Sequence, residues 1–358
     1  MIKNRPLRLV VADDSALARQ LLVALLEQAG GIEVVGEAAD GQQAIELVRR
    51  HQPDLLTLDL NMPVMDGLQT IATLMHTKAL PILVVSSEAD AQRAYQALEL
   101  GALEVIPKPE VSTAEAEEFI RQVRLLAGIP MITRTRRASA APLPVAHSVA
   151  LLPSSQPQTQ RLVVIASSTG GPQALALILR QLPADFPAPI LIAQHMSDGF
   201  VEGLALWLNS HTPLHVSVAE DGQLPCAGQV YLSPSESHLV VSQQGHLALL
   251  ARQQKDIYRP SCDALLLSVA EVFQQRAIGV ILTGMGQDGA AGLLAVHQAG
   301  GLTLAQDEAS SVIFGMNQQA IERGGVDQVL PVTALAEALQ VAVRQTPALY
   351  RLMACQGG

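Results

Sequence analysis

The stretch LRLVVADDSALARQLLVALLEQAGG, Leu7–Gly31, decides the fold of the first part of the chain. Leu7–Ala12 is a short apolar run that the Asp13, Asp14 pair breaks. Leu17, Leu21, Leu22, Leu25 and Leu26 then recur on one helix face, and Gly30 and Gly31 stop the pattern. A strand followed at once by an amphipathic helix is one βα unit. The alternation repeats through Ile32–Val35, Leu55–Leu60, Ile82–Ser86 and Glu104–Ile106, each a strand candidate followed by a helical segment. Five such units predict a doubly wound parallel α/β sheet, a (βα)5 domain.

Between Ile129 and Gln160 the pattern lapses into Pro, Ser, Thr and Gln, with Arg134, Arg136 and Arg137 as the only charges, which is the composition of a flexible linker. Alternation resumes at Leu162–Ala166, Pro189–Gln194 and Ile278–Thr283, with further strand candidates at Val230–Leu232, His238–Ser242 and Leu247–Leu250. The last two resemble an antiparallel hairpin inserted into a second α/β domain with a parallel sheet. The expected organisation is a first domain over 1–128, a linker over 129–160 and a second domain over 161–358. A chain of 358 residues, 49% hydrophobic, is long enough for two such cores.

A net charge of -10 with only 3% aromatic residues argues against nucleic acid as a partner, because phosphate neutralisation and base stacking would both be short of residues. No apolar run approaches the roughly 20 residues that span a bilayer, and the N-terminus is short and polar. Membrane insertion is therefore not expected, and the chain reads as cytoplasmic. Cys226, Cys262 and Cys355 are odd in number and widely spaced, which implies neither a disulfide framework nor a structural zinc motif and fits a reducing compartment.

Asp13 and Asp14 follow the first strand and Asp59 lies near the end of the third, so a doubly wound sheet would gather all three carboxylates. They would repel one another unless a hard cation neutralised them, the situation of a Mg²⁺ site built from a few carboxylates and waters. Lys108, in Ile106-Pro107-Lys108-Pro109, can reach the same pocket from the fifth strand, and Ser86 or Ser87 brings a hydroxyl from the fourth. Such a pocket accepts a phosphoryl group. Each feature alone also has a plainer reading: an Asp pair after a strand is often a helix cap, and Lys-Pro is often only a loop.

Taken together, Asp13-Asp14, Asp59 followed by Asn61-Met62-Pro63 and Asp66-Gly67, Ser86 and Lys108 resemble the receiver domain of response regulators over residues 7–126. The resemblance implies that a histidine kinase phosphorylates Asp59. It implies that Asp14, Asp59 and the carbonyl of Asn61 hold Mg²⁺, with Asp13 helping through water, and that Ser86 and Lys108 read the phosphoryl group. Receivers often carry an aromatic residue three positions before the lysine; here that position is Val105.

In the second half, Leu162-Val163-Val164-Ile165-Ala166-Ser167-Ser168-Thr169-Gly170-Gly171-Pro172 reads as a buried strand, a glycine-rich turn and a helix opened by Pro172. Backbone N–H groups at that helix start suit either an oxyanion or a phosphate. The Lys of a Walker loop and the G-x-G-x-x-G of a dinucleotide fold are both absent. A nucleophilic Ser168 would need a base, and among the histidines past the linker His195 ends a buried strand, whereas His211, His215, His238 and His297 lie in or beside other elements. Asp288, in a second glycine-rich turn after Ile281-Leu282-Thr283, could orient that base, although a lone turn Asp is usually an N-cap. The order Ser, His, Asp differs from that of α/β-hydrolases.

Ser168-Thr169-Gly170-Gly171, Gln194-His195-Met196, Arg259-Pro260-Ser261 with Asp263, Leu282-Thr283-Gly284-Met285-Gly286 with Asp288-Gly289, and Phe314-Gly315-Met316 resemble the chemotaxis protein-glutamate methylesterases, the CheB family, over roughly residues 161–345. The resemblance implies hydrolysis of glutamyl methyl esters on the cytoplasmic helices of chemoreceptors, with methanol released, and in some members deamidation of receptor glutamines. It implies Ser168 as nucleophile, His195 as base, Asp288 as its partner, and backbone N–H groups near Thr169 and Met285 as the oxyanion site, with no cofactor in this domain. The family usually has Gly-Ala before the nucleophile, where this chain has Ala166-Ser167. A second reading keeps the receiver but makes the second domain a binding module without catalysis. A DNA-binding output is disfavoured by the acidic second domain and the lack of a helix-turn-helix pattern.

Overall fold

The computed structural model describes residues 5–87, 91–109, 113–129, 131, 161–253 and 256–354. The linker expected over 129–160 lies almost wholly outside these residues, as does Cys355. The chain divides into two compact units, residues 1–140 and 141–358.

In the first unit β1 (Leu7–Ala12), β2 (Ile32–Ala38), β3 (Leu55–Leu58), β4 (Ile82–Ser86) and β5 (Glu104–Pro107) alternate with α1 (Ala16–Gln28), α2 (Gly41–His51), α3 (Gly67–Thr77), α4 (Ala91–Leu100) and α5 (Thr113–Leu126). The five strands are parallel in the order β2-β1-β3-β4-β5. Chain order reverses between β1 and β3, so the crevice at their carboxyl ends is the place where such a sheet builds a site. The central strands are apolar because helices cover both faces: Leu55, Leu56, Leu58, Ile82, Leu83 and Val84 are fully buried.

Two expectations shift. β3 ends at Leu58, which frees Asp59 from the ladder and lets its side chain turn into the crevice. Leu17, in the first turn of α1, is 76% exposed, and of the apolar face only Leu22 and Leu26 are buried in the core. Ser15, whose side chain accepts from Ala18 N–H, caps α1, so neither Asp13 nor Asp14 is spent as the cap.

The second unit runs β6 (Leu162–Ser167), α6 (Gly171–Leu179), β7 (Ile190–Gln194), α7 (Val201–Asn209), β8 (His215–Val218), β9 (Gln229–Leu232), β10 (Ser237–Val241), β11 (Leu247–Ala251), α8 (Cys262–Phe273), β12 (Ala277–Ile281), α9 (Ala290–Gln298), β13 (Leu302–Gln306), α10 (Met316–Glu322), β14 (Gln328–Leu330), α11 (Val332–Ala342) and α12 (Pro347–Ala354). Seven parallel strands lie in the order β14-β13-β12-β6-β7-β9-β8, and β10 and β11 form the separate antiparallel hairpin. β6 is central; the chain first builds outward through β7, then returns to β12 on the other side. The switch point therefore lies between β6 and β12, with β7 beside it.

Candidate functional site

The acidic pocket of the first unit forms at the β1/β3 switch point. Asp59 N–H donates to the Ala12 carbonyl (2.8 Å), and Leu60 N–H to Asp59 Oδ1 (2.8 Å), which pins the carboxylate. Asp13, Asp14 and Asp59 offer oxygens within 4.8 Å of one another; Asp13 and Asp59 are buried and Asp14 is exposed. Lys108 Nζ reaches across from the end of β5 to Asp13 Oδ2 (2.7 Å) and Asp59 Oδ2 (3.0 Å). The Lys108 backbone N–H also donates to the carbonyl of the fully buried Ser86 (3.1 Å), which ties the end of β5 to the end of β4.

Burial pushes the Asp59 carboxyl above its ordinary range and the adjacent Asp13 adds to this, outweighing Lys108 and the Leu60 N–H. Burial alone would lower Lys108, but its bonds to Asp13 and Asp59 raise it. Asp13 Oδ2 is buried, with the Lys108 ammonium as its charge partner. Three clustered carboxylates, two of them buried, form the all-oxygen donor set that Mg²⁺ takes, so these residues fit the ion that the resemblance implied. Asn61 follows Asp59 by two residues, and its side-chain oxygen accepts from Arg93, whose other terminal nitrogen pairs with Asp66 Oδ2 (3.0 Å). Nothing in the local sequence pattern pointed to Arg93.

In the second unit Ser168 follows β6, His195 follows β7, and Asp288 lies in the loop after β12, so the three expected residues stand at the ends of neighbouring strands, and a side-chain bond joins His195 to Asp288. The backbone fixes their approach. Ser168 N–H donates to Thr283 O (3.0 Å), and His195 N–H to Ser167 O (2.9 Å). The next turn passes so close that a Cβ on Gly284 would lie 2.6 Å from Ser168 Cβ, and this carries the adjacent Met285 to the serine. Thr169 opens the turn into α6, where Gly170 takes the left-handed conformation (φ 78°) as N-cap. Ser168 and Thr169 are buried.

His195 Nε2 lies 2.8 Å from Asp288 Oδ2. A carboxylate can only accept, so Nε2 carries the proton and Nδ1 keeps the lone pair of a base. Asp288 is not the cap of its own helix. It reaches instead to the start of α8, where Oδ2 accepts from Cys262 N–H (2.6 Å) and Oδ1 from Asp263 N–H (2.9 Å) and Ser261 Oγ (3.3 Å). Burial alone would raise its carboxyl, but the bond and charge of His195 and the two helix N–H groups hold it below the ordinary carboxylate range.

Two neighbours, Tyr258 and Cys262, lie outside the motifs, and Gln194 lies within one that gave it no role. Gln194 Nε2 donates to the carbonyls of both Ser168 and His195 (2.8 Å each), while Ser167 Oγ donates to Gln194 Oε1 (2.7 Å). Gln194 thus clamps two strand ends together, and Ser167 supports that clamp. The Tyr258 ring stacks on His195 with centroids 5.1 Å apart at 12°. Cys262 is fully buried with Sγ 3.4 Å from His195 Nε2. Gln194 belongs to the Gln194-His195-Met196 motif, Tyr258 adjoins Arg259 and Cys262 adjoins Ser261, so each carries a hint in its position but none in its own residue type.

Fold and site together define a two-unit α/β protein that joins a receiver-type acidic pocket to a Ser/His/Asp grouping of hydrolase type. Sequence profiles agree unit by unit: the response regulator receiver domain matches residues 9–120 and CheB methylesterase matches residues 163–339. The chain is 50% identical over 334 residues to protein-glutamate methylesterase/protein-glutamine glutaminase 3 of Paramagnetospirillum magneticum, covering 92% of this chain and 94% of that one. It is 43% identical to protein-glutamate methylesterase/protein-glutamine glutaminase 2 of Anaeromyxobacter dehalogenans, covering 95% and 98%. Among solved structures, the CheB methylesterase catalytic domain of Thermotoga maritima is similar at 42% identity with a TM-score of 0.49, covering 51% of this chain and 98% of that chain. The chain belongs to the CheB family of protein-glutamate methylesterases/protein-glutamine glutaminases, enzymes of chemotaxis adaptation, here with a receiver domain. No helix among the described residues is long and apolar enough to cross a membrane.

Proposed function

We propose that this enzyme demethylates glutamyl methyl esters on the cytoplasmic helices of chemoreceptors, with Ser168, His195 and Asp288 as its catalytic triad, and that phosphorylation of Asp59 by a chemotaxis histidine kinase raises its rate. What supports the catalytic assignment is the bond of His195 Nε2 to Asp288 Oδ2 beside the strand end where Ser168 also stands. His195 Nδ1 takes the proton of Ser168 as Oγ attacks the ester carbonyl. N–H groups of Thr169 and Met285 stabilise the oxyanion. Collapse breaks the ester C–O bond, and methanol leaves with the proton that His195 returns. Water, activated by the same imidazole, then hydrolyses the glutamyl-serine ester. An amide follows the same course with ammonia leaving, which is the glutaminase reaction on receptor glutamines.

In the receiver, Asp13, Asp14, Asp59 and the Asn61 carbonyl would hold Mg²⁺, which when bound offsets the negative charge gathered at the phosphoacceptor. An Asp59 oxygen attacks the phosphohistidine phosphorus, the P–N bond breaks, and Lys108 pairs with the transferred phosphoryl group while Ser86 donates to it. The domain organisation proposed is a receiver over 1–128, a linker over 129–160 and a catalytic domain over 161–358. The test uses methyl-labelled chemoreceptor membranes with and without acetyl phosphate. Ser168→Ala should abolish methanol release yet leave phosphorylation of Asp59 intact, and Asp59→Asn should keep basal release but lose stimulation. Full activity in Ser168→Ala refutes the nucleophile; stimulation surviving in Asp59→Asn refutes the control.

A further inference from the structure

We propose that His195 Nε2, Cys262 Sγ and Asp288 Oδ2 together form a binding site for a thiophilic divalent cation of the zinc type, and that filling it switches the hydrolase off. The three donor atoms lie within 4.8 Å of one another. Zinc with bonds of about 2.0–2.3 Å sets neighbouring donors roughly 3.3–3.8 Å apart. The His195 to Cys262 separation is already 3.4 Å, and the His195 to Asp288 separation of 2.8 Å need open only by about half an ångström to reach that range. No ligand-spacing motif announces this site, because Cys262 lies 67 residues from His195 and 26 from Asp288 in the chain and only the fold brings them together.

Charge also fits. Cys262 is fully buried and Asp288 only 2% exposed, so an uncompensated cation or anion there would be costly. One carboxylate, one thiolate, a neutral imidazole and a dication sum to zero, the balance a buried site requires. Burial and the neighbouring Asp288 hold the Cys262 thiol well above its ordinary range, so the ion must displace that proton to gain the thiolate. The Asp288 carboxylate is already oriented by the N–H groups of Cys262 and Asp263. These bonds act as the outer shell that fixes a ligating carboxylate. Mixed N, S and O donors select a borderline-soft ion and leave Mg²⁺ to the all-oxygen pocket of the other unit.

Binding has one chemical consequence. The ion takes the Nε2 lone pair, so the imidazole's single proton moves to Nδ1, and the Cys262 thiol proton leaves to solvent. No electron is transferred. With Nδ1 protonated, His195 can no longer accept the proton of Ser168. Inhibition rests on the triad proposed above; binding does not.

The test uses the full chain stripped with a chelator. Co²⁺ alone should give a thiolate-to-cobalt charge-transfer band in the wild type that persists in Cys226→Ser and disappears in both Cys262→Ser and Cys262→Ala, with melting curves showing that each variant folds. Zn²⁺ alone should inhibit methanol release, and each Cys262 variant, scaled to its own metal-free rate, should need at least tenfold more zinc. A folded wild type with no band, a band retained in both Cys262 variants, or equal zinc sensitivity throughout overturns the proposal. Absent esterase activity would sink the function proposed above, while the cobalt band would still decide the metal site.

Discussion

Replacing Asp288 by Asn probes the site where structure and chemistry are most tightly joined. The carboxylate accepts from His195 Nε2 and Cys262 N–H through Oδ2, and from Asp263 N–H and Ser261 Oγ through Oδ1. An amide offers one oxygen and one NH2. With the oxygen toward His195, the NH2 confronts the Asp263 N–H. With the oxygen toward Asp263, it confronts the Cys262 N–H and demands the wrong imidazole tautomer. Either way one α8 N–H is left without an acceptor, which costs about 1–3 kcal/mol of stability. Either way the imidazolium loses its counter-charge. The expected loss in kcat is roughly 10³–10⁴, or about 4–5.5 kcal/mol of barrier, with KM nearly unchanged. Single-turnover methanol release from a methylated receptor, paired with thermal melting, measures both. A folded variant that keeps more than a tenth of the wild-type kcat, or one that changes KM alone, would show that Asp288 does not orient the base.

Other expectations follow from single contacts. Tyr258→Leu removes the ring stacked on His195 and should lower kcat about 3- to 30-fold while Tyr258→Phe stays near wild type; equal rates in all three would deny the stacking any role. Gly284→Ala would set a Cβ 2.6 Å from Ser168 Cβ, so activity should collapse and stability fall by about 1–3 kcal/mol, read by methanol release and urea titration. Asp327, bonded to Arg351 Nε (2.7 Å), is raised by burial but held below its ordinary range by Arg351 and Thr303. A depressed folded value means stabilisation that is whole above the unfolded pKa of about 3.9 and lost as pH falls through the lower folded value. Melting temperatures should therefore drop over that acid window for the wild type and less steeply for Asp327→Asn; parallel curves would contradict the linkage.

Local patterning carried far in this chain because burial repeats with period two in strands and about 3.6 in helices, and both periods are written in consecutive residues. Leu7–Ala12 and Leu162–Ser167 could be found from apolar runs, and Ser168, His195 and Asp59 from their places at or near strand ends. The pattern gives less elsewhere: the three-residue, half-covered β14 carries no apolar run, β13 is fully buried yet interrupted by Thr303, and Leu17 shares the spacing of the buried leucines but is exposed. Strand order was beyond it altogether, since the sheet order β14-β13-β12-β6-β7-β9-β8 depends on packing between segments far apart in the chain. That order creates the switch point. It also decides that Asp288, 93 residues from His195, pairs with it while capping α8, and that Cys262 lies against the same imidazole. The sequence by itself determined the residue types and the ends on which they sit; the tertiary structure decided which side chains touch, because hydrogen bonds between distant segments exist only once the sheet has closed around them.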